Sequence, residues 1–193
     1  MTDAERTLEI LRQTGVLQEG HFHLSSGLHS DRYFQCALAL QYPERTAELC
    51  SMLALRFKGQ GVEVVVSPAV GGIVVGYELA RQLGARAIFA EREGGRMTLR
   101  RGFALQPGER ALVCEDVITT GGSAREVADL VRTRGAAVVG VAAFVDRSEG
   151  QAEFGAPFEA LVSMQVPTFP PEACALCRQG VPVVKPGSRT SSP

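Results

Sequence analysis

An α/β fold with a mostly parallel central sheet flanked by helices is predicted by three features of this 193-residue chain. Short apolar runs of strand type alternate with apolar stripes of helical period. One strand, in ALVCEDVITTGGS at residues 111–123, runs into paired carboxylates and then a Thr/Gly/Ser turn that opens a helix. The composition, 45% hydrophobic and 21% charged, can bury one substantial core with room for a small appended element, so residues 1–193 read as one domain.

The elements follow in order. Ala4, Leu8 and Leu11 share one face of a first helix that Gly15 can terminate, and Cys50, Leu53, Ala54 and Phe57 do the same for a helix entered through Pro43. Val62–Val66 (VEVVV) is a short buried strand that ends at Ser67-Pro68. Gly76, Leu79, Ala80 and Leu83 mark the next helix, and Ala87–Ala90 another short strand. From Glu91 to Gly102 the chain is polar, with two adjacent glycines and the arginines Arg92, Arg96, Arg100 and Arg101 but no sustained period, so it reads as a mobile loop with a hairpin at most at its base. Ala124, Val127, Ala128 and Val131 form a last i, i+3, i+4, i+7 stripe, and the strand Ala137–Val145 closes the series. The C-terminal KPGSRTSSP reads as a loose tail.

Charge and cysteine content exclude several function classes. With 20 basic against 21 acidic residues and a net charge of −1, nothing global recommends nucleic acid or an anionic membrane as partner. No apolar run is long enough to span a bilayer and the N-terminal MTDAERTLEILRQ is not signal-like, so a cytoplasmic location is expected. Five cysteines, an odd number, argue against a secreted disulfide framework. Cys174-Ala175-Leu176-Cys177 is half of a structural zinc site and also a redox spacing, but a tetrahedral site needs two further ligands. Cys36, Cys50 and Cys114 lie in segments read as flap, helix and strand, and His21, His23 and His29 show no ligand spacing and read as solvated. The expectation is therefore a plain reduced turn and no protein-held metal.

The chemistry concentrates at residues 111–123. Glu115 and Asp116 fall where a parallel strand leaves the sheet, the usual ligand crevice of an α/β fold. Thr119, Thr120, Gly121, Gly122 and Ser123 supply hydroxyls and unobstructed backbone N–H groups at a helix start, where partial positive charge favours a phosphate. Acids suit sugar hydroxyls and the turn suits a phosphoryl group. Neither G-x-x-x-x-G-K-[ST] nor a dinucleotide fingerprint occurs, so nucleotide hydrolysis and hydride transfer lose their usual support. The plainer alternative is a capped helix with Ser123 as N-cap and solvated acids.

This element resembles the signature of type I phosphoribosyltransferases. GHFHLSSGLHSDRYFQCAL, SPAVGGI, AIFAER and FVDRSEG surround it in the order and spacing of the orotate phosphoribosyltransferases. The resemblance implies the type I phosphoribosyltransferase fold, with a small N-terminal hood within about residues 1–40 and a C-terminal segment at 160–185. It implies transfer of a phosphoribosyl group from phosphoribosyl pyrophosphate (PRPP) to orotate, giving orotidine 5′-monophosphate and pyrophosphate. Glu115 and Asp116 would hold the ribose 2′ and 3′ hydroxyls, Thr119–Ser123 the 5′-phosphate, and Ala69, Gly71 and Arg92 the pyrophosphate. Arg92, Arg96 and Arg100, with Asp116, form the implied catalytic set. Orotate would meet Tyr33, Phe34, Ser25, Thr119 and Arg147, the guanidinium fork suiting its carboxylate. Mg²⁺ is the implied cofactor, bound mainly through PRPP and water, and a homodimer with lid residues shared between subunits is the implied assembly.

Two departures from the family pattern stand out. Ser25, in Phe22-His23-Leu24-Ser25-Ser26-Gly27, replaces a lysine common in F-x-L-K-S-G, and Ala69-Val70-Gly71-Gly72-Ile73 replaces A-Y-K-G-I. Competing readings make Tyr33 and Phe34 packing aromatics, and Arg147 a surface partner of Asp146 or Glu149. At the level of function the alternatives are a phosphoribosyltransferase for another nucleobase and a non-catalytic PRPP-sensing regulator.

Overall fold

Helix α1 (Asp3–Gln13) opens the computed structural model, which describes residues 1–24 and 26–186. Its start is a capping box: Glu5 N donates to Thr2 Oγ1 at 3.2 Å and Thr2 N donates to Glu5 Oε2 at 2.8 Å, so two N–H groups left over at the helix start find partners. Strands β1 (Leu17–His23) and β2 (His29–Phe34) then form a separate antiparallel hairpin. A one-turn helix α2 (Ala37–Leu40) leads to α3 (Pro43–Arg56), with proline in its first turn, where a missing N–H costs nothing.

The central sheet is built from β3 (Val64–Pro68), β4 (Arg86–Glu93), β5 (Arg96–Leu99), β6 (Arg110–Ile118), β7 (Ala137–Asp146) and β8 (Phe158–Ser163). Helix α4 (Gly72–Leu83) connects β3 to β4, and α5 (Gly122–Thr133) connects β6 to β7. The strand order is β5-β4-β3-β6-β7-β8, with every pair parallel except β4–β5. A final one-turn helix, α6 (Ala175–Arg178), lies in the C-terminal segment. No helix among the described residues is long and apolar enough to cross a membrane.

Alternation along the strands divides the core in two. Val65, Leu112, Cys114, Ala142 and Phe144 face α3 and α4, packing with Leu49, Leu53, Phe57 and Leu79. Their sequence neighbours Val64, Val66, Val113, Val141 and Ala143 face α5 and pack with Val127 and Val131. Both faces of β3 are covered, which is why its sequence reads as an unbroken apolar run. Fully burying a Val, Leu or Phe among these contributes about 1.5–3 kcal/mol.

Three expectations need correction. The segment Glu91–Gly102 is not a loop: β4 continues to Glu93, turns through Gly94-Gly95 and returns as β5, with Glu93 opposite Arg96. Both turn glycines have positive φ, 55° and 82°, the conformation a two-residue hairpin turn needs to match the twist of its strands. Ala137–Val145 does not close the sheet, because β8 pairs beyond it. The buried strand begins at Val64 and carries Ser67-Pro68 as its last residues.

Candidate active site

The chain order makes a crevice between β3 and β6. After β3 the chain crosses to β4 on one side, and after β6 it crosses to β7 on the other, so the sheet reverses direction there. The β3–β6 ladder stops at Val66 opposite Val113. Beyond it β3 stays with β4 through Pro68–Ala90, and β6 stays with β7 through Ile118–Asp146. Glu115 and Asp116 stand where the two strands part, across from the turn at Ala69–Gly72.

That turn touches the acids. A Cβ at Gly71 would lie 3.3 Å from Asp116 Oδ2, and one at Gly72 would lie 3.1 Å from Glu115 Oε1 and 3.0 Å from Ser67 Cβ. Glycine therefore lets the backbone come up against both carboxylates. The Ala69–Val70 peptide is cis, and Ala69 N donates to Ala90 O at 2.8 Å. Burial pushes the Asp116 carboxyl above its usual range, against the opposing pull of backbone hydrogen bonds, including Val117 N at 2.9 Å, and of Glu115.

The phosphate turn follows from the end of β6. Thr119 and Thr120 are exposed, and Gly121, at φ 75°, is the N-cap of α5 with no side-chain cap hydrogen bond. First-turn N–H groups of the helix, which have no partner within it, are thus left without a side-chain cap just after β6 ends. Ser123 lies inside the first turn, so the alternative that makes it the N-cap does not hold.

Hood and sheet meet at Arg147. Its N donates to Ile118 O at 2.7 Å, and its guanidinium carbon lies 5.4 Å from the centroid of the Phe34 ring, within cation–π range. Phe34 is buried, at 6% exposure, while Tyr33 leans on Phe22 with centroids 5.6 Å apart. Burial, then the charge on Asp116, raises the Tyr33 hydroxyl pKa. Arg147 is not a surface partner of Asp146: that carboxylate accepts from Ser148 N at 2.7 Å and Ser148 Oγ at 2.6 Å. Among the described residues Arg147 has no ion pair, its Nε is buried without a hydrogen-bond partner, and burial lowers its pKa. A buried donor of this kind fits an anionic ligand. Ser25 lies outside the described residues.

The lid arginines divide between two faces of the hairpin. Arg92 lies opposite Met97 on the α5 side, where it forks onto Glu126 at 3.0 and 2.9 Å. Arg96, opposite Glu93, projects the other way because side chains alternate along a strand. Arg100 lies 3.6 Å from Glu93, and Arg101 forks onto Glu91 at 2.8 Å on both bonds. Among the described residues Arg96 has no ion pair.

One convergence was not foreseen. His21 and His29 are not solvated but buried, at 4% and 7% exposure, and both stand against Cys174 and Cys177. The signal that each histidine lies on one strand of a hairpin was present in GHFHLSSGLHS, but the approach of the cysteines was not. Two open depressions, one lined by Thr14, Tyr42 and Pro43 and the other by Lys58, Gly61 and Gln82, share no residue with this site.

Comparison with known proteins agrees with the geometry. The phosphoribosyl transferase domain family matches residues 46–169. Orotate phosphoribosyltransferase of Desulforamulus reducens is 56% identical over 185 residues, covering 96% of this chain and 97% of the relative. That of Chlorobaculum parvum is 50% identical over 192 residues, covering 100% and 99%. Among solved structures, orotate phosphoribosyltransferase from Aeropyrum pernix superposes with a TM-score of 0.69 at 26% identity, covering 81% of this chain and 92% of that one. Adenine phosphoribosyltransferase from Thermoanaerobacter pseudethanolicus, at 17% identity, 69% and 88% coverage and a TM-score of 0.60, shares the fold alone. With sheet order, crevice and near-full-length identity in agreement, the chain belongs to the orotate phosphoribosyltransferase family.

Proposed function

We propose that this chain transfers the phosphoribosyl group of PRPP to N1 of orotate. The bond from the anomeric carbon to pyrophosphate breaks, the C–N bond forms on the opposite face, and orotidine 5′-monophosphate and pyrophosphate leave; this is a step of pyrimidine nucleotide synthesis. One observation carries the reading. Where β3 and β6 part, paired acids, a glycine turn and an uncapped helix start lie near a half-buried guanidinium that, among the described residues, has no ion pair and a buried, unpartnered Nε.

Each part has a role in a reaction that needs no protein nucleophile. Glu115 and Asp116 accept from the ribose hydroxyls, and Thr119–Ser123 give N–H and O–H donors to the 5′-phosphate. Backbone at Ala69 and Gly71 lies along the pyrophosphate. Phe34 and Arg147 hold the base, the guanidinium meeting a carboxylate that purines and uracil lack, with Tyr33, Thr119 and Ser25 around it. Orotate is already anionic and needs little help from a general base, so the work is positioning, charge neutralisation and exclusion of water. Arg92, Arg96 and Arg100 supply neutralising charge for the leaving group. Mg²⁺ fits here because Glu115 and Asp116 present hard oxygen donors beside a space kept open by Gly71; bound mainly through PRPP and water, it would neutralise pyrophosphate charge. The assembly that suits a lid with an outward-facing Arg96 is a homodimer whose hairpins reach the neighbouring site.

A spectrophotometric assay of orotate consumption tests the reading. PRPP-dependent loss of orotate, unaffected by excess adenine, hypoxanthine or uracil, is expected. Consumption of one of those bases in preference would make this a phosphoribosyltransferase of another kind, and no consumption of any would leave a PRPP-binding regulator.

A further inference from the structure

The hood hairpin and the C-terminal segment meet at a cluster the transfer reaction does not use. His21 Nε2 lies 2.9 Å from His29 Nδ1, 3.4 Å from Cys174 Sγ and 3.6 Å from Cys177 Sγ, and His29 Nδ1 lies 3.2 Å from Cys177 Sγ. All four atoms fall within 4.8 Å of one another, the only such convergence of histidine, cysteine and acidic groups among the described residues. Metal–ligand lengths of about 2.3 Å to sulfur and about 2.0–2.1 Å to nitrogen give a tetrahedron with N–S edges of about 3.6 Å, S–S edges of about 3.8 Å and an N–N edge of about 3.4 Å. The observed N–S separations of 3.2–3.6 Å reach that edge from below, and they and the N–N separation need only a small opening.

Proton bookkeeping points the same way. His21 Nδ1 lies 2.7 Å from Val181 O, a carbonyl that can only accept. In the neutral ring Nδ1 must then carry the hydrogen, so Nε2 presents a lone pair to the cluster, the second-sphere arrangement that orients a metal-ligating histidine. A one-residue bulge in β1, between Glu19 opposite Arg32 and Phe22 opposite Ser30, turns His21 inward beside the equally buried Phe22. Cys174 and Cys177, three apart around the single turn of α6, direct both sulfurs to one side.

The surrounding segment has little else to hold it. Between Gln165 and Lys185, Cys174 is the only buried residue. Val166 packs on the core edge and Ser30 Oγ donates to Pro167 O at 2.8 Å; backbone bonds add to these, His29 and Phe169 exchanging two at 2.8 Å each, Val184 N donating to His21 O at 2.8 Å, and His23 N donating to Val184 O at 2.9 Å.

We propose that His21, His29, Cys174 and Cys177 bind one structural Zn²⁺ that staples the C-terminal segment to the hood. Two thiolates and two neutral imidazoles give a site of no net charge, which suits a cluster with three buried ligands and the exposed Cys177, and four protein ligands close it to substrate. The ion anchors the hairpin that carries Tyr33 and Phe34 without touching the reaction.

Elemental analysis of the full-length chain, produced without a histidine tag and in reducing buffer, is expected to find one zinc per chain. Cobalt substitution should produce the visible bands of a tetrahedral ion together with thiolate-to-cobalt charge transfer. Cys174→Ser/Cys177→Ser should lose the zinc and the charge-transfer band. Cys177→His keeps four ligands and should retain the ion, so a folding failure of the double variant does not shelter the proposal. Chelation should lower the melting temperature of the wild-type chain and leave the double variant unchanged. Metal-free protein after folding with zinc, a Cys174–Cys177 disulfide in freshly reduced protein, or zinc that persists in the double variant overturns it.

Discussion

The two halves of the site are held by different means. Glu115, Asp116 and the Thr119–Ser123 turn hang from β6, an inner strand with a parallel neighbour on each side, where Val113, Cys114 and Ile118 are at most 1% exposed. The hood is a two-stranded hairpin that reaches the core through Phe34 and Leu17, and the segment beyond Met164 is held by Val166, a handful of hydrogen bonds and the His/Cys cluster. On the proposed roles, the groups that would bind the sugar phosphate therefore sit on the central sheet. The groups that would meet the base sit partly on the two-stranded hood, apart from Arg147, which the sheet itself supplies at the end of β7. Binding parts of low local stability are the ones able to open and close on substrate.

The largest effects should come from the acids. Asp116→Asn and Glu115→Gln are each expected to weaken PRPP binding by about 1–3 kcal/mol, about 5- to 150-fold in Kd by calorimetry. For Asp116 the stability sign is opposite. A carboxyl whose folded pKa is raised destabilises the fold above that pKa, and the penalty disappears below the unfolded value, so Asp116→Asn should not lower the melting temperature at neutral pH. An equal loss of stability and affinity would mean that this half of the site is structural.

The base half is probed next. Arg147→Ala should raise the KM for orotate at least tenfold while changing that for PRPP much less, since one charge-assisted bidentate contact is lost. Equal effects on both substrates would erase the division between the halves.

A shared lid gives a smaller signal. Mixing Asp116→Asn chains with chains carrying Arg96→Ala, Arg100→Ala and Arg101→Ala should restore part of the activity, because one site of a mixed dimer joins intact acids to an intact hairpin. Activity equal to the sum of the parents, with subunit exchange verified by mass, would place lid and acids in one chain.

The smallest effect is expected far from the crevice, where Arg6 forks onto Glu48 at 2.5 and 2.9 Å and ties α1 to α3. Hydrogen bonding from Arg6 holds the Glu48 carboxyl below its usual range, so this pair stabilises above the unfolded carboxylate pKa and is lost as pH falls through the folded one. Glu48→Gln should lower the melting temperature at pH 7 by no more than a few degrees, and the difference from wild type should vanish in acid. A change in orotate KM would show that α1 and α3 bear on the hood.

Legibility in the sequence followed the range of the interactions. The stripes at Leu79–Leu83 and Ala124–Val131, the strand at Val64 and the acid–turn–helix element were readable because burial imposes a local period and a helix start imposes local chemistry. The hairpin at Gly94-Gly95 was readable in principle: two adjacent glycines are turn residues, but the flanking arginines and glutamates masked the strand period. β8 was missed because an edge strand of six residues takes its order from β7 rather than from its own sequence.

By itself, then, the sequence carried the period of most core strands and helices, the order of acids, turn and helix at residues 115–123, and an arginine at the end of the last predicted strand. Only the tertiary structure decided that β3 and β6 part at Val66 and Val113, that Arg92 and Arg96 face opposite ways, and that Arg147 is a half-buried cation with no ion pair among the described residues and a buried, unpartnered Nε. It also brought His21 within 3.4 Å of Cys174, 153 residues away. Local pattern carries information over a few residues, whereas strand order and the meeting of the chain's two ends are set by pairings whose partners are far apart in sequence.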